Sequence, residues 1–156
     1  MVTRELEADR RYGLGKSLTP VIEVLSSRGV TVDYLCQADV GARSRRWLQA
    51  TYKRLGRLLT QRFPDTDTTS LAWGLLERLN MGRLAAKVAA RGRYTHVHCH
   101  DAFIAAGDRW LTRLRYGTKP RWGVTSHGFG SYAQAFHEDG AVLGTKAMRW
   151  LSCSFI

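Results

Sequence analysis

An apolar run that ends abruptly at a histidine and a glycine is the feature that most constrains the fold of this chain. It lies in Arg121–Gly130, RWGVTSHGFG, where Pro120 precedes a strand-like segment and Gly128 opens the chain after it. His127 is therefore expected at the carboxyl end of a buried strand, the edge at which ligands bind in open α/β sheets. The alternative is a histidine that only hydrogen-bonds a turn.

A second strand-like segment ends in the same way. In Thr95–Asp101, THVHCHD, three histidines recur at every second residue and share one face of the predicted strand. Three imidazoles could bind zinc, but residues two apart lie well separated along a strand, and we predict no metal site. His98 is interpreted as a hydrogen-bonded core histidine, whereas His100 and Asp101 are expected at the sheet edge beside His127.

Helical and strand-like segments alternate along the chain. One more strand is predicted at Val30–Cys36, which is β-branched and largely apolar, whereas residues 1–12 are polar and make a weak first strand. Helices are predicted at Leu18–Ser27, Ala42–Phe63, Ser70–Arg91, Asp101–Leu114 and Ala141–Leu151. Such alternation predicts an α/β fold, a Rossmann-like, mostly parallel sheet with helices on both faces.

The segment GLGKS at 13–17 invites comparison with a phosphate-binding loop. The P-loop pattern requires a glycine where Arg10 stands, so a nucleoside triphosphatase is not indicated. A glycine loop before a helix still offers free backbone N–H groups, and Gly13, Gly15 and Lys16 are candidates to contact a phosphate or another close ligand. The alternative is that Gly13 and Gly15 only make a turn.

Charge sets the class of partner. The 156 residues suit one domain, 1–156, but 24 Lys and Arg face only 13 Asp and Glu, a net charge of +11. Seven of the basic residues lie in Ala42–Phe63 beside apolar ones, a pattern that suits a helix lying on anionic lipid, or else a solvated basic face. Three scattered cysteines and the lack of a signal peptide or an apolar stretch of membrane-spanning length predict reduced thiols in a cytoplasmic protein.

Taken together, three segments resemble a known family. GLGKSLTPVIEVLSSRGVTVDYL, YTHVHCHD and PRWGVTSHGFG, in this order, resemble the N-terminal half of family 4 glycosyltransferases, retaining enzymes of GT-B architecture. The likeness spans about Gly13 to Gly130. Thr95 and His96 depart from the family pattern, in which an aspartate and an aliphatic residue are usual.

The resemblance implies a function and a site. The chain would be the acceptor-side domain of a glycosyltransferase that uses a nucleotide-sugar, with no further cofactor, to build a cell-surface polysaccharide or glycolipid. His127 would be catalytic, and Gly13, Gly15, Lys16, His100, Asp101 and Gly128 would contact substrate or donor. The family's second, donor-binding domain does not follow Ile156, so the chain resembles a fragment that is inactive alone.

The implied location is the cytoplasm, with peripheral contact at the inner face of the plasma membrane. The alternative function is a non-catalytic basic α/β module that binds an anionic membrane or nucleic acid, a reading for which the charge alone suffices. With the transferase reading, no nucleic acid partner is expected.

Overall fold

The structure is a computed structural model that describes residues 1–3, 13–117, 120–125 and 142–153. The chain divides into two compact units. The first unit consists of Met1–Gly41 and Arg78–Ser126, and the second consists of Ala42–Glu77 and His127–Ile156. The predicted single domain stays a prediction.

The described part of the chain is mostly helical, and this overturns the predicted fold class. Helices account for 69% of it, and its sheet has only two strands. The helices are α1 (Gly13–Ser27), α2 (Ala42–Arg62), α3 (Thr68–Gly92), α4 (Ala102–Leu111) and α5 (Thr145–Cys153), and the strands are β1 (His96–Cys99) and β2 (Arg121–Val124). The prediction of a Rossmann-like, mostly parallel sheet covered on both faces was therefore wrong.

The sheet consists of two strands of four residues each. The four residues of β1 pair in parallel with the four of β2, in a register that sets His98 opposite Gly123. Beyond these two strands, Val2 forms single parallel bridges to Leu35 and Cys99. These bridges place the start of the chain beside β1, but single bridges do not make further strands.

Two local predictions in the first unit were also wrong. Val30–Cys36 was predicted as a strand, but within the described residues only Leu35 bridges to another segment. β-Branched residues form a strand only where a neighbouring segment supplies hydrogen bonds. The predicted glycine loop is helical instead. Helix α1 begins at Gly13 rather than near Leu18, and Thr19 Oγ1 donates to the Gly15 carbonyl 3.0 Å away inside it.

The two long helices that were predicted from apolar residues at helical spacing were confirmed. Helices α2 and α3, of 21 and 25 residues, lie where apolar residues recur at helical spacing, and α3 continues through Gly82 without a break. Helix α4 is followed by a π-helical turn, Thr112–Tyr116, that ends at Gly117 in the left-handed region with φ of 62°. The two strands also lie within their predicted segments.

In the first unit, the core forms where the second half of α3 meets β1 and α4. Its buried members are Val2, Val40, Met81, Ala85, Ala89, Val97, Cys99, Ile104 and Ala105. Helices α3 and α4 approach each other closely at Gly82. A Cβ built there would lie 2.6 Å from the Ile104 carbonyl oxygen and 2.7 Å from the Asp108 nitrogen, so only glycine fits this crossing.

In the second unit, α2 packs against the first half of α3. The rings of Tyr52 and Trp73 meet edge to face with centroids 5.5 Å apart, and Thr60 and Thr68 are joined by a 2.6 Å hydrogen bond. Asp67 caps α3 because its carboxylate accepts from the Ser70 backbone and hydroxyl. These hydrogen bonds hold the pKa of Asp67 below its usual value.

The crossing at Gly82 yields a test with a matched control. We expect Gly82→Ala to lower the free energy of unfolding by about 1–3 kcal/mol, because the added methyl meets backbone atoms that cannot rotate away. At Gly56 in α2, a Cβ would lie 3.8 Å from the nearest atom, the Thr68 carbonyl oxygen. Gly56→Ala should therefore stabilise the helix, by up to about 1 kcal/mol. Urea unfolding of both variants measures this, and equal effects would contradict the tight crossing.

Candidate functional site

A polar cluster lies at the carboxyl end of β1, and Asp101 is its centre. Asp101 Oδ1 accepts from the backbone nitrogens of Phe103 and Ile104, at 2.8 and 3.2 Å, and so caps α4. Its other oxygen, Oδ2, accepts from Nε of the buried Arg78 at 2.8 Å. Both carboxylate oxygens are thus engaged in joining β1, α3 and α4, which makes Asp101 a structural residue of this site.

His98 of β1 and His100, which follows the strand, extend the cluster toward β2. His98 Nε2 shares a 2.8 Å hydrogen bond with the Thr125 hydroxyl, and the rings of His98 and His100 lie with centroids 4.8 Å apart. Opposite, Gly123 makes room for the imidazole, because a Cβ there would lie 2.7 Å from His98 Nδ1. The prediction that His98 is a hydrogen-bonded core histidine agrees with its half-buried position and its bond to Thr125.

The other predicted site residues are distributed differently. Gly13, Gly15 and Lys16 lie in the first turn of α1, with Gly15 buried and Lys16 exposed, rather than in a loop. His127 and Gly128 lie outside the described residues. Of the proposed site residues that the structure describes, His100 and Asp101 lie side by side at the carboxyl end of β1.

Arg78 is the member of the cluster that the sequence reading missed. It follows Leu71 and Leu75 at steps of four and three, and Gly82 and Ala85 continue the same stripe. A charged residue on the apolar stripe of a helix must be buried, and burial of a charge requires a partner. This position in the pattern was the available signal for the ion pair with Asp101.

A second buried polar group fastens the end of α4 to β2. Asp108 is fully buried and accepts from Thr112 Oγ1 at 3.2 Å and from Trp122 Nε1 at 2.5 Å. Burial raises the pKa of Asp108, and these two hydrogen bonds only partly oppose the rise. By accepting from these two neutral donors, Asp108 fixes the last turn of α4 relative to β2.

A cavity of about 240 Å³ begins near the amino end of β1, where His96 lines it. Most of its lining is aliphatic and comes from Leu25 of α1, from Val30, Val32 and Leu35, and from the last turns of α3. At its edge, the Tyr94 hydroxyl donates to the carboxylate of Asp33. An apolar cavity of this kind suits an apolar molecule better than the charged diphosphate that the family resemblance implies.

Cys36 and Cys99 are buried free thiols, as predicted, and burial raises the pKa of Cys99 to about 12. At that pKa, Cys99 is neither a nucleophile nor a metal-binding thiolate near neutral pH. In the described ranges, no group of three or more His, Cys, Asp or Glu side chains is placed to hold a metal ion.

One face of α2 is strongly basic. The helix carries seven basic residues and no acidic one, and all seven are exposed. Five of them recur at helical spacing and share one sector of the surface: Arg43, Arg46, Lys53, Arg54 and Arg57. Trp47 and Leu58 lie along one edge of this sector, with 41% and 56% of their surface exposed.

The opposite face of α2 is the one that packs in the second unit. Leu48 and Gly56 are buried, and Tyr52, Leu55 and Leu59 are half-buried on the same side. The predicted amphipathic helix is therefore confirmed, and its apolar stripe is used in folding. What remains for a partner is the basic sector with Trp47 and Leu58, which we call the basic face.

Comparisons with known proteins add no assignment. No family model, no curated protein and no solved structure matches the chain. The resemblance to family 4 glycosyltransferases, and the sugar-transfer function that it implies, stay predictions. In the helices that the structure describes, none combines the length and apolarity needed to cross a membrane.

The ion pair at the cluster can be tested by removing one charge. Asp101→Asn keeps an oxygen for capping α4 but removes the negative charge that meets the buried Arg78 guanidinium, so we expect a loss of about 3–5 kcal/mol in the free energy of unfolding. Replacing Arg78 with Met in the Asp101→Asn protein should recover part of this loss. Urea unfolding of the single and double variants measures both effects. A further loss on adding Arg78→Met would show that charge burial is not the cost.

Asp108 predicts a pH dependence of stability. Because the folded protein raises the pKa of this carboxyl, the unfolded chain releases the proton first, and stability falls as pH rises from about 4 through the folded pKa. Asp108→Asn removes this loss and can still bond Trp122 and Thr112. We expect the variant to gain stability over the original protein across that window, after which the difference levels off. Urea unfolding between pH 4 and 8 measures it, and a constant difference would contradict the assignment.

Proposed function

We propose that this protein binds anionic membranes peripherally through the basic face of α2. The observation that carries the proposal is the exposure of five basic side chains in one sector of a helix that has no acidic residue. Anionic lipids hold a negative surface potential that attracts each basic residue near it by about 1 kcal/mol. Five such residues suffice for reversible binding at moderate salt.

The apolar edge of the basic face favours lipid over nucleic acid. Trp47 and Leu58 flank Arg54 and keep much of their surface in water. Tryptophan is favoured at the boundary between headgroups and acyl chains, and leucine gains by leaving water there. A phosphodiester backbone would use the arginines but would gain nothing from an exposed Leu58.

The binding mode is peripheral. The apolar stripe of α2 is already packed, so the helix lies on the headgroups through its charged sector, and Trp47 and Leu58 on its edge stay at the headgroup level without entering the acyl chains. The contact depends on salt, because exposed charges are screened within about 8 Å at physiological ionic strength. An intracellular location at the inner leaflet, which carries the anionic lipids, belongs to this proposal.

Charge reversal on the basic face tests the proposal. Arg54→Glu with Arg57→Glu should weaken co-sedimentation with vesicles of phosphatidylglycerol and phosphatidylcholine at least about thirtyfold, since two attractions of about 1 kcal/mol each are lost and replaced by repulsion. The matched control is Lys87→Glu with Arg91→Glu, two exposed basic residues of α3 that give the same change in net charge. Circular dichroism confirms that both variants keep their helices.

Three outcomes would contradict membrane binding by this face. The control pair could weaken binding as much as the α2 pair, which would make net charge the cause. The original protein could bind phosphatidylcholine vesicles equally well, which would remove the role of anionic lipid. It could also prefer a 20-nucleotide duplex over vesicles at equal phosphate concentration, which would assign the basic face to nucleic acid.

A further inference from the structure

Among the described residues of the first unit, the most exposed aromatic and leucine side chains lie on the outer side of α4 and its π-helical turn. Trp110 and Leu114 expose 63% and 67% of their surfaces and lie four residues apart, which places them side by side. Exposed apolar surface of this kind in neighbouring side chains marks an interaction site more often than a single exposed residue does.

Arginines accompany this apolar pair. Arg109 and Arg113 form the adjacent row, and Arg115 is also exposed, whereas residues 109–116 include no acidic residue. An arginine can lay its aliphatic stem along apolar surface while its guanidinium stays with water or phosphate. Tryptophan, leucine and arginine in neighbouring rows form the pattern of a segment that rests in the interface of an anionic bilayer.

The orientation of this surface is fixed by the packing behind it. The inner side of α4 holds Ile104, Gly107 and Asp108, all buried, and Gly107 lies against Leu79 of α3. The buried Thr112 donates to Asp108, and Trp122 of β2 donates to the same carboxylate. Trp110 and Leu114 therefore cannot turn inward without breaking these contacts, and they stay directed to solvent.

We infer that Trp110 and Leu114 insert into the acyl boundary of an anionic membrane, with Arg109, Arg113 and Arg115 on the phosphates. This surface is a second membrane contact, on an element other than α2. It rests on the proposed function in that the same vesicles are the partner, but it depends on apolar burial rather than on charge. Its contribution should therefore survive in high salt, where the contribution of α2 is screened.

Brominated lipid gives a direct reading of insertion. Bromine on the acyl chains quenches the fluorescence of a tryptophan that reaches them, so the original protein should be quenched on vesicles of phosphatidylglycerol and dibrominated phosphatidylcholine. Trp110→Phe should abolish most of this quenching, and Trp47→Phe should retain most of it. If Trp47→Phe abolishes the quenching and Trp110→Phe does not, insertion belongs to α2 and the inference is wrong.

A second variant measures how much the burial of apolar surface contributes to vesicle binding. In 0.5 M NaCl, Leu114→Ser should weaken partition into the same vesicles roughly tenfold, because serine loses the gain that leucine makes on leaving water. The control is Val142→Ser in the second unit, where the valine exposes 68% of its surface outside this patch. Equal effects of the two changes would overturn the inference.

The two sets of variants separate the two ideas. If Arg54→Glu with Arg57→Glu weakens binding in low salt but Trp110→Phe remains fully quenched, only the insertion fails. If Trp110→Phe loses quenching but the α2 pair binds normally, only the role of the basic face fails. If the original protein binds no vesicle, both fail. A dimer in sedimentation that Leu114→Ser converts to a monomer would show that a second copy covers the patch, which also overturns insertion.

Discussion

The first unit depends on one buried charge pair. Arg78 comes from the apolar stripe of α3, and an arginine there is strongly unfavourable unless a carboxylate meets it. Asp101 meets it from the junction at which β1 ends and α4 begins, and the same carboxylate caps α4. One residue thus fixes where the strand stops, where the helix starts and which turn of α3 lies behind them.

The close crossing of α3 and α4 follows from this pair. With Asp101 held against Arg78, one turn of α3 later brings Gly82 to the backbone of α4, at Ile104 and Asp108. Asp108 then faces inward and takes the indole of Trp122, so the far end of α4 is tied to β2. Because α4 is fixed at both ends, its outer side cannot turn inward, and Trp110 and Leu114 stay exposed to solvent.

Most helices could be predicted from sequence because their hydrogen bonds are local. The repeats of Leu48, Tyr52 and Leu55 in α2 set its bounds to within one residue, and α3 was predicted to within two. The sheet could not be predicted in the same way. Val30–Cys36 has strand-like residues, yet its pairing depends on a distant segment, and only Leu35 finds one.

The candidate site shows the same division between local and distant information. His100 and Asp101 were expected at the end of β1, and they lie there. The end of a short strand can be predicted from the few residues around it. Their neighbour Arg78 is 23 residues away, and the role of Asp101 changes once that partner is known. A carboxylate that was predicted to contact substrate is seen to join three elements of the fold.

The basic face of α2 places like charges close together on one helix. Its arginines and its lysine repel one another at spacings of three and four residues, at a cost of about 0.2–0.5 kcal/mol for each like pair. Within α2 no acidic residue offsets this repulsion. A partner that brings negative charge offsets the repulsion and adds attraction, so contact with an anionic surface stabilises α2.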